Sequence, residues 1–181
     1  MIPSNDKIIV CVNDEQKNKI KIGNIEFQTA TKYETNYREK SPVIAEVVYG
    51  NEKVQSGDLL LCHHNLFYHP SPHHLYNDFF SIKFNKIIFA KIQMDGSLLP
   101  ICGNLLCDRV DIETAIPLPP EQREQYTDRV VVTNPGYTQY KKGQLLFTRP
   151  YSYYEIVYVL NGVEKRVHKC DSDMVLGYLK D

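Results

Sequence analysis

Five of the six histidines in this chain fall within twelve residues, so the first chemistry to consider is metal binding. They are His63, His64, His69, His73 and His74. A zinc site needs three or four donors converging at about 2.0–2.1 Å from the ion. Prolines interrupt this cluster, and no HExxH motif or acidic partner accompanies it. We therefore expect an exposed or subunit-contacting segment without a metal, which gains charge at a pH of about 6. A metal-dependent enzyme built on these histidines is the alternative.

The sequence carries none of the common catalytic motifs. There is no GxSxG, P-loop, GxGxxG or CxxC pattern, and the acidic residues show no pairing that spacing alone defines. The formal charge is −1, from 21 basic and 22 acidic residues, which gives no electrostatic reason to expect nucleic acid as a partner. The aromatic stretch 149–154 therefore indicates core or interface tyrosines rather than a base-stacking surface. We expect no enzymatic activity and no cofactor.

The five cysteines are predicted to be reduced and buried. Their number is odd and their spacing irregular: Cys11, Cys62, Cys102, Cys107 and Cys170. Several sit inside apolar runs, where a thiol acts as a small hydrophobic group. No apolar run approaches the roughly 20 residues that span a bilayer, and the first residues lack the regions of a signal peptide. These features favour a cytoplasmic protein with no membrane partner.

Behind these side chains lies a sequence pattern that occurs twice. The segments 45–61 and 130–147 each place an apolar run, a glycine, and then a second glycine followed by another apolar run. Two glycine pairs share one shift, Gly50 with Gly136 and Gly57 with Gly143 (136 − 50 = 143 − 57 = 86). A repeat of this kind determines the architecture. It predicts two small β units, 1–103 and 104–181.

The repeat can be extended from these anchors. Asp6-Lys7-Ile8 and Asp108-Arg109-Val110 are each predicted to open a unit, and Asn85 is aligned with Asn161 at a shift of 76. The unequal shifts imply that the first unit carries two insertions. One, of about 16 residues, falls in the long loop 13–40, and the other, of about ten, is the histidine-rich insertion 63–78. Insertions in repeats collect on loops, which often contact a partner.

Strand signals dominate the chain. Short runs rich in β-branched and apolar residues alternate with Gly, Pro and Asn turns, and Asn161-Gly162 between two runs is a strong hairpin signal. The predicted strands are 7–12, 43–49, 59–62, 82–84, 87–92, 130–133, 145–148, 155–160 and 163–168. The one candidate helix, Pro120–Tyr126, is short. The fold class is therefore all-β, as a small barrel or sandwich in each unit.

The two long connections hold the candidate binding residues. In the first, Lys19–Ile22 and Ile25–Gln28 are predicted to pair as a hairpin turning at Gly23-Asn24, which gathers Ile22, Ile25 and Phe27 into an apolar patch. In the second, Ile116, Pro117 and Leu118 form an apolar triplet among prolines, which favour an extended conformation. A short apolar segment of this kind docks in a groove of a partner.

The order of these elements resembles the GroES-like co-chaperonin family. Asp6–Val10 is similar to the opening strand of that family, Ala45–Gly50 to its second element, and Val54–Leu61 to its Val-x-x-Gly-Asp strand, with 86–101 as the closing part. The second unit repeats this order at 108–110, 130–136, 140–147 and 165–179. Three departures are clear, and one of them is that the histidine-rich insertion replaces a short roof hairpin. Ile22-Gly23-Asn24-Ile25 stands where the family has Gly-Gly before an apolar triplet, and Gln144 stands where it has Asp.

The resemblance implies two tandem small GroES-like β-barrels and a binding function. The expected protein is a co-chaperonin that self-associates into a ring and binds an ATP-hydrolysing chaperonin to assist protein folding. Its contacts would be Ile22, Gly23, Asn24, Ile25 and Phe27 of one loop, and Ile116, Pro117 and Leu118 of the other. A phage origin is consistent with the departures. The alternative is an oligomeric structural or assembly protein, for example a virion component, that uses the same tandem barrel.

Overall fold

Sixteen β-strands make up most of the part of the chain that the structure describes. A computed structural model describes residues 6–12, 19–22, 25–28, 39–40, 42–63, 66–67, 72–110, 128–150 and 152–179. The strands are β1 Lys7–Cys11, β2 Lys19–Ile22, β3 Ile25–Gln28, β4 Glu39–Lys40, β5 Pro42–Tyr49, β6 Leu59–His63, β7 His74–Tyr76, β8 Phe79–Lys83, β9 Ile88–Ile92, β10 Leu98–Pro100, β11 Asn104–Arg109, β12 Asp128–Asn134, β13 Leu145–Thr148, β14 Tyr153–Leu160, β15 Val163–Asp171 and β16 Val175–Tyr178. A 3-10 turn spans Ser172–Met174. None of these ranges holds a helix with the length and apolarity that crossing a membrane requires.

The strands form two seven-stranded sheets and one two-stranded ribbon. The first sheet has the order β10-β9-β6-β5-β1-β8-β7, the second has the order β16-β13-β12-β11-β15-β14-β4, and β2 pairs with β3. Every pairing is antiparallel except that of β4 with β14. The all-β prediction is confirmed. The predicted barrel closure is not formed by the described strands, because the first and last strands in each order do not pair with each other.

The two sheets repeat one topology. The first unit contributes β1 and β5 to β9, and the second contributes β11 to β16. When the strands of each unit are numbered from one to six, both sheets show the order six-three-two-one-five-four. A β-bulge interrupts the pairing of the first and second strands in both units, at Ile9/Val10 and at Leu106/Cys107. A second shared bulge interrupts the pairing of the third and sixth strands, at Leu61/Cys62 and at Phe147/Thr148.

Three hydrophobic clusters stabilise this arrangement. Side chains alternate between the two faces of each strand, so each sheet can bury one cluster on its inner face and contribute to another on its outer face. The inner face of the first sheet buries Ile8, Val10, Val43, Ala45, Val47, Leu60, Ile82 and Ile88, among others. The inner face of the second buries Leu105, Cys107, Val130, Val132, Leu146 and Cys170. The third cluster joins the outer faces of the two units and contains Leu61, Phe89, Ala90, Ile92, Leu98, Ile156 and Tyr158.

Strand pairing corrects the predicted alignment of the two copies. Val10 lies opposite Val47, and Cys107 lies opposite Val132. The opening strands are therefore shifted by 97 residues (107 − 10), and Asp108-Arg109 ends its strand instead of opening the unit. Val47 and Val132 are 85 apart, whereas Gly57 and Gly143 are 86 apart. The second unit therefore has one extra residue between these points, and the equivalence of Gly50 with Gly136 stays a prediction, because neither glycine takes part in a strand pairing.

The histidine-rich segment also needs a correction. Asn161-Gly162 does turn the hairpin of β14 and β15, as predicted, and its counterpart is Asn77-Asp78 between β7 and β8. Asn77 and Asn161 both adopt left-handed backbone, with φ of 48° and 52°. The predicted alignment of Asn85 with Asn161 is wrong, because Asn85 follows the fifth strand. The segment 63–78 therefore contains the fourth strand of the unit and is not simply an insertion.

Candidate partner-binding site

The first candidate loop contains the predicted hairpin. Strands β2 and β3 pair antiparallel with Ile20 opposite Phe27 and Ile22 opposite Ile25. Since alternate strand positions share a face, these four apolar positions fall on one face of the ribbon. The ribbon belongs to neither large sheet, and a lone two-stranded hairpin is marginally stable in water.

The other predicted contact residues cannot be placed in the same way. Gly23 and Asn24, between the paired strands, lie outside the described residues, as do Ile116, Pro117 and Leu118. The candidate helix Pro120–Tyr126 also falls there. The first connection nevertheless has one fixed point, because β4 adds to the second sheet with Glu39 opposite Glu155 and Lys40 opposite Ile156. The long connection of the first unit thus reaches the second unit before it returns to β5.

The described histidines make local packing contacts. The ring of His63 meets Phe89 edge-on at 5.9 Å between centroids. The ring of His74 meets Phe80 at 5.2 Å, and its Nε2 lies 2.8 Å from the carbonyl oxygen of Asn77 in the hairpin turn. No group of three or more potential ligands converges within the described ranges, and His64 and His69 fall outside them. These contacts give His74 a structural role in the turn.

A buried lysine lies at the junction of the two units. Lys169 is 4 % exposed, and its Nζ donates to Asn104 Oδ1 at 2.6 Å and to Asp171 Oδ1. The same ammonium lies 4.8 Å from the ring centroid of Phe89 and 5.7 Å from that of Tyr154. A buried charge is tolerated only when it is paired and hydrogen-bonded. The neighbours of Lys169 supply both conditions, and Phe89 comes from the first unit.

Asn104 connects this lysine to the first unit. It is 1 % exposed, and its Nδ2 lies within 3.3 Å of three carbonyl oxygens, those of Lys86, Ile88 and Ile101. At the surface nearby, Lys86 Nζ forms an ion pair with Asp173 at 2.7 Å. The lowered pKa of Asp173 follows first from its hydrogen bond with Lys86. Sequence reasoning missed this junction, because the strand that holds Lys169 also carries Glu164, Lys165 and Arg166, and nothing in the local pattern marks Lys169 as the buried charge.

The two predicted glycine turns are alike in detail. In the first, Gly57 has φ of +88° and Asp58 Oδ2 accepts from the N–H of Gln55 at 2.8 Å. In the second, Gly143 has φ of +87°, and Gln144 Oε1 accepts from the N–H of Lys141 at 3.1 Å. Gln144, which departs from the family pattern, therefore fills the same hydrogen-bonding position as Asp58.

Asp58 also carries a charge interaction. Its Oδ2 lies 2.7 Å from Lys91 Nζ in a partly buried pair. Burial would raise the pKa of Asp58, but the hydrogen bonds from Lys91 and from the Gln55 N–H outweigh it, so the pKa lies below its usual value. Because a glutamine cannot form this ion pair, the two equivalent turns differ in charge.

A groove of about 880 Å³ opens between the units beside this turn. Its walls are the turn 93–96 of the first unit and the hairpin end 160–165 of the second, with Asp58 and Lys91 at one side. Lys165 Nζ donates to the carbonyl oxygen of Gly96 at 3.2 Å and bridges the walls. These charged groups satisfy one another, and the described lining shows no nucleophile with an adjacent base.

The cysteines follow the prediction in part. Cys62, Cys107 and Cys170 are buried in the cores, whereas Cys11 and Cys102 are half-buried. None of the five forms a disulfide in the part of the chain that the structure describes. Burial raises the pKa of Cys170 to about 12 and that of Cys102 to about 11, and it raises the pKa of Cys62 and Cys107 as well. Such thiols are protonated at neutral pH and are poor nucleophiles.

Comparison with known proteins adds no relative to this description. No model of a known protein family, no curated protein and no solved structure matches the chain.

Proposed function

We propose that this chain is a co-chaperonin-like binding module without chemistry of its own. It self-associates into a ring and docks on an ATP-hydrolysing chaperonin through apolar residues of its long connections, which assists the folding of enclosed proteins. ATP hydrolysis belongs to the partner. The resemblance of the strand motifs to the GroES-like family is one support for this proposal, and each unit would then be a divergent GroES-like domain.

The position of the longest connection in each unit is the main structural support for this proposal. In each unit the longest connection joins the first strand to the second, at 12–41 in the first unit and 110–127 in the second. The two sheets share one strand order, so both connections occupy the same topological place. A long connection that recurs in both copies of a repeat favours a shared contact function. These are also the two segments that carry the predicted apolar contact residues.

The paired strands β2 and β3 fit a docking role. Their apolar positions share one face, and the ribbon lacks a third strand among the described residues. Each contact would be weak, because ordering a loop costs roughly 1–2 kcal/mol per residue. A ring recovers affinity by presenting many such loops at once.

The direct test is to mix the protein with a chaperonin and ATP and to look for capped particles by electron microscopy. A variant with Ile22→Asp and Ile25→Asp, combined with Ile116→Asp and Leu118→Asp, should cap no particles. A matched control with Lys21→Ala and Glu26→Ala changes a paired position on the opposite face of the ribbon, and it should cap normally. Absence of capped particles with the wild-type protein would refute the proposal.

An assembly protein is the second candidate, for one specific reason. The edge strand β16 and the residue after it expose Leu176, Tyr178 and Leu179, and exposed apolar groups on a sheet edge favour association. An assembly block would keep its long connections covered by neighbouring subunits. Limited proteolysis separates the two functions, because an assembly block resists cleavage at 13–40 without any chaperonin, whereas a capping loop becomes resistant when chaperonin and ATP are added.

A further inference from the structure

The contact between the two units uses two different faces of the repeated sheet. The first unit contributes the outer side of its sixth strand, Phe89, Ala90 and Ile92, here called the sixth-strand face. The second unit contributes Leu106, Ile156 and Val167 from its first, fourth and fifth strands, here called the hairpin face. Because these faces are unlike, the contact is head-to-tail. A head-to-tail contact leaves one face of each kind unused in every chain.

The unused sixth-strand face lies on the second unit. In the bulged pairing of the third and sixth strands, Ile88 and Ala90 lie opposite Cys62 and Leu61 in the first unit. Val175 and Gly177 lie opposite Thr148 and Phe147 in the second unit. Ile88 therefore corresponds to Val175 and Ala90 to Gly177, each at a shift of 87 residues. At the same shift, Phe89 corresponds to Leu176 and Ile92 to Leu179. Phe89 and Ile92 are 5 % and 7 % exposed, whereas Leu176 and Leu179 are 56 % and 55 % exposed.

The unused hairpin face lies on the first unit. Ile9 lies opposite Ser81 as Leu106 lies opposite Lys169, so Ile9 corresponds to Leu106. Ser81 and Lys169 are equivalent positions of the fifth strand, so Phe79 and Val167, each two residues earlier, also correspond. Tyr76 pairs with Phe79 as Ile156 pairs with Val167. Ile156 is 1 % exposed, whereas Tyr76 is 55 % exposed, so Tyr76 is the exposed part of this face; Ile9, at 7 %, is already buried at its base.

The surroundings of the unused hairpin face also suit an apolar partner. Ile9, Val48, Tyr49, Leu75, Tyr76 and Phe79 line an open hollow of about 160 Å³. Val48 and Tyr49, at the end of β5, are more than one-third exposed. In the second unit the counterpart of Tyr49 is Asn134, and its Nδ2 donates to the carbonyl oxygen of Leu98 in the first unit at 2.9 Å. The residue of the second unit that corresponds to Tyr49 therefore already contacts a neighbouring unit.

A polar atom marks the unused sixth-strand face. In the second unit Arg129 lies opposite Phe147, and in the first unit Ile44 lies opposite Leu61. Arg129 therefore corresponds to Ile44, which packs against the apolar cluster between the units. Its guanidinium lies 5.4 Å from the ring centroid of Phe147. The Nε atom is buried and has no hydrogen-bond partner among the described residues. Buried donors are normally paired, and a docked neighbour would bring acceptors to this nitrogen.

We propose that the sixth-strand face of the second unit, Leu176, Gly177 and Leu179, binds the hairpin face of the first unit, Ile9, Tyr76 and Phe79, in a second copy of this chain. The contact between chains thus repeats the contact within the chain. Successive units then follow one rotation, which gives a ring if it closes and a filament if it does not. The inference deepens the self-association in the proposed function, and it does not depend on a chaperonin.

Two variants test the proposal, each with one face disrupted. Leu176→Glu with Leu179→Glu alters the sixth-strand face, and Tyr76→Glu alters the hairpin face. We expect the wild-type protein to form multimers of its 21.0 kDa chain, and each variant to be monomeric by mass measurement in solution. Met94→Glu, at a fully exposed turn residue outside both faces, should leave the multimer intact.

Mixing the two variants gives the decisive result. Each keeps one intact face of opposite kind, so an equimolar mixture should form a dimer of about 42 kDa (2 × 21.0) and nothing larger. Formation of that dimer also shows that both variants are folded. A wild-type monomer at all concentrations, variants that still form multimers, or a mixture that stays monomeric would each overturn the proposal. If the assembly forms as expected and no chaperonin is capped, only the proposed function fails.

Discussion

Lys169 Nζ lies 2.6 Å from Asn104 Oδ1 within the second unit, and both of these buried polar side chains also contact the first unit. Asn104 Nδ2 faces three carbonyl oxygens of the first unit. The ammonium of Lys169 packs over Phe89, which also belongs to the first unit. The junction therefore combines an apolar cluster with a directional polar one. Directional contacts of this kind fix how two apolar faces meet, which nonspecific burial alone does not do.

Loss of one partner of the buried ion pair should destabilise the protein more than loss of both charges together. Asp171→Ala leaves the buried ammonium without its counter-charge, which costs about 3 kcal/mol of unfolding free energy. Lys169→Gln combined with Asp171→Asn removes both charges and keeps a donor for Asn104 Oδ1, so its cost should be smaller than that of Asp171→Ala. Urea denaturation of the two variants measures the difference. Equal losses would show that the charge pairing contributes nothing.

Acid should weaken the contribution of Asp58. The pKa of this carboxyl is lower in the folded protein than in the unfolded chain. Its ion pair with Lys91 is therefore fully stabilising above the unfolded pKa of about 4 and is lost as the pH falls through the lower folded pKa. Asp58→Asn keeps an acceptor for the Gln55 N–H and removes the charge. The stability gap between wild type and this variant should be large at pH 7 and shrink below pH 4; a gap that does not change with pH would contradict the assignment.

The two glycine turns should respond alike to substitution. Gly57→Ala and Gly143→Ala each force a side chain into left-handed backbone, with a cost of roughly 1–2 kcal/mol. No atom lies within 4 Å of the added Cβ at either site, so the cost reflects conformation and not a clash. Gly57→Asn and Gly143→Asn should lose less, because asparagine tolerates this region. Thermal unfolding of the four variants tests this, and a large difference between the two turns would argue against their equivalence.

Native thiols should resist alkylation at neutral pH. Burial keeps Cys62, Cys107 and Cys170 protonated and out of reach, and half-buried Cys102 has its pKa raised to about 11. An unfolded cysteine, with a pKa of about 8.5, reacts far faster. Timed iodoacetamide labelling followed by mass spectrometry should show slow modification at these four sites, and rapid modification after addition of urea. Rapid native labelling of Cys62 would contradict the described core.

The sequence predicted local structure better than it predicted correspondence between the copies. Strand positions follow from β-branched runs and turns, so Leu145–Thr148 was predicted without error and the Asn161-Gly162 hairpin was confirmed. The alignment of Asp6 with Asp108 was wrong because matching letters do not determine register. Register depends on pairing, and the bulges at Ile9/Val10 and Leu106/Cys107 become visible only when the partners are known.

The candidate site was predictable in part for the same reason. The pairing of Ile22 with Ile25 follows from a two-residue turn between apolar strands. The junction of Lys169 with Asn104 joins residues 65 apart in sequence, and no local pattern indicates such a contact. The correspondence of Leu176 with Phe89 likewise needed the sheet order, since the two segments share little sequence.

The most direct test of the proposed co-chaperonin function is the mass of the complex formed with a purified chaperonin, measured with and without ATP. We expect an ATP-dependent complex for the wild-type protein and for the Lys21→Ala, Glu26→Ala control. We expect no complex for the variant with Ile22, Ile25, Ile116 and Leu118 changed to aspartate. Equal binding by that variant, or no binding by the wild-type protein, would refute the co-chaperonin function.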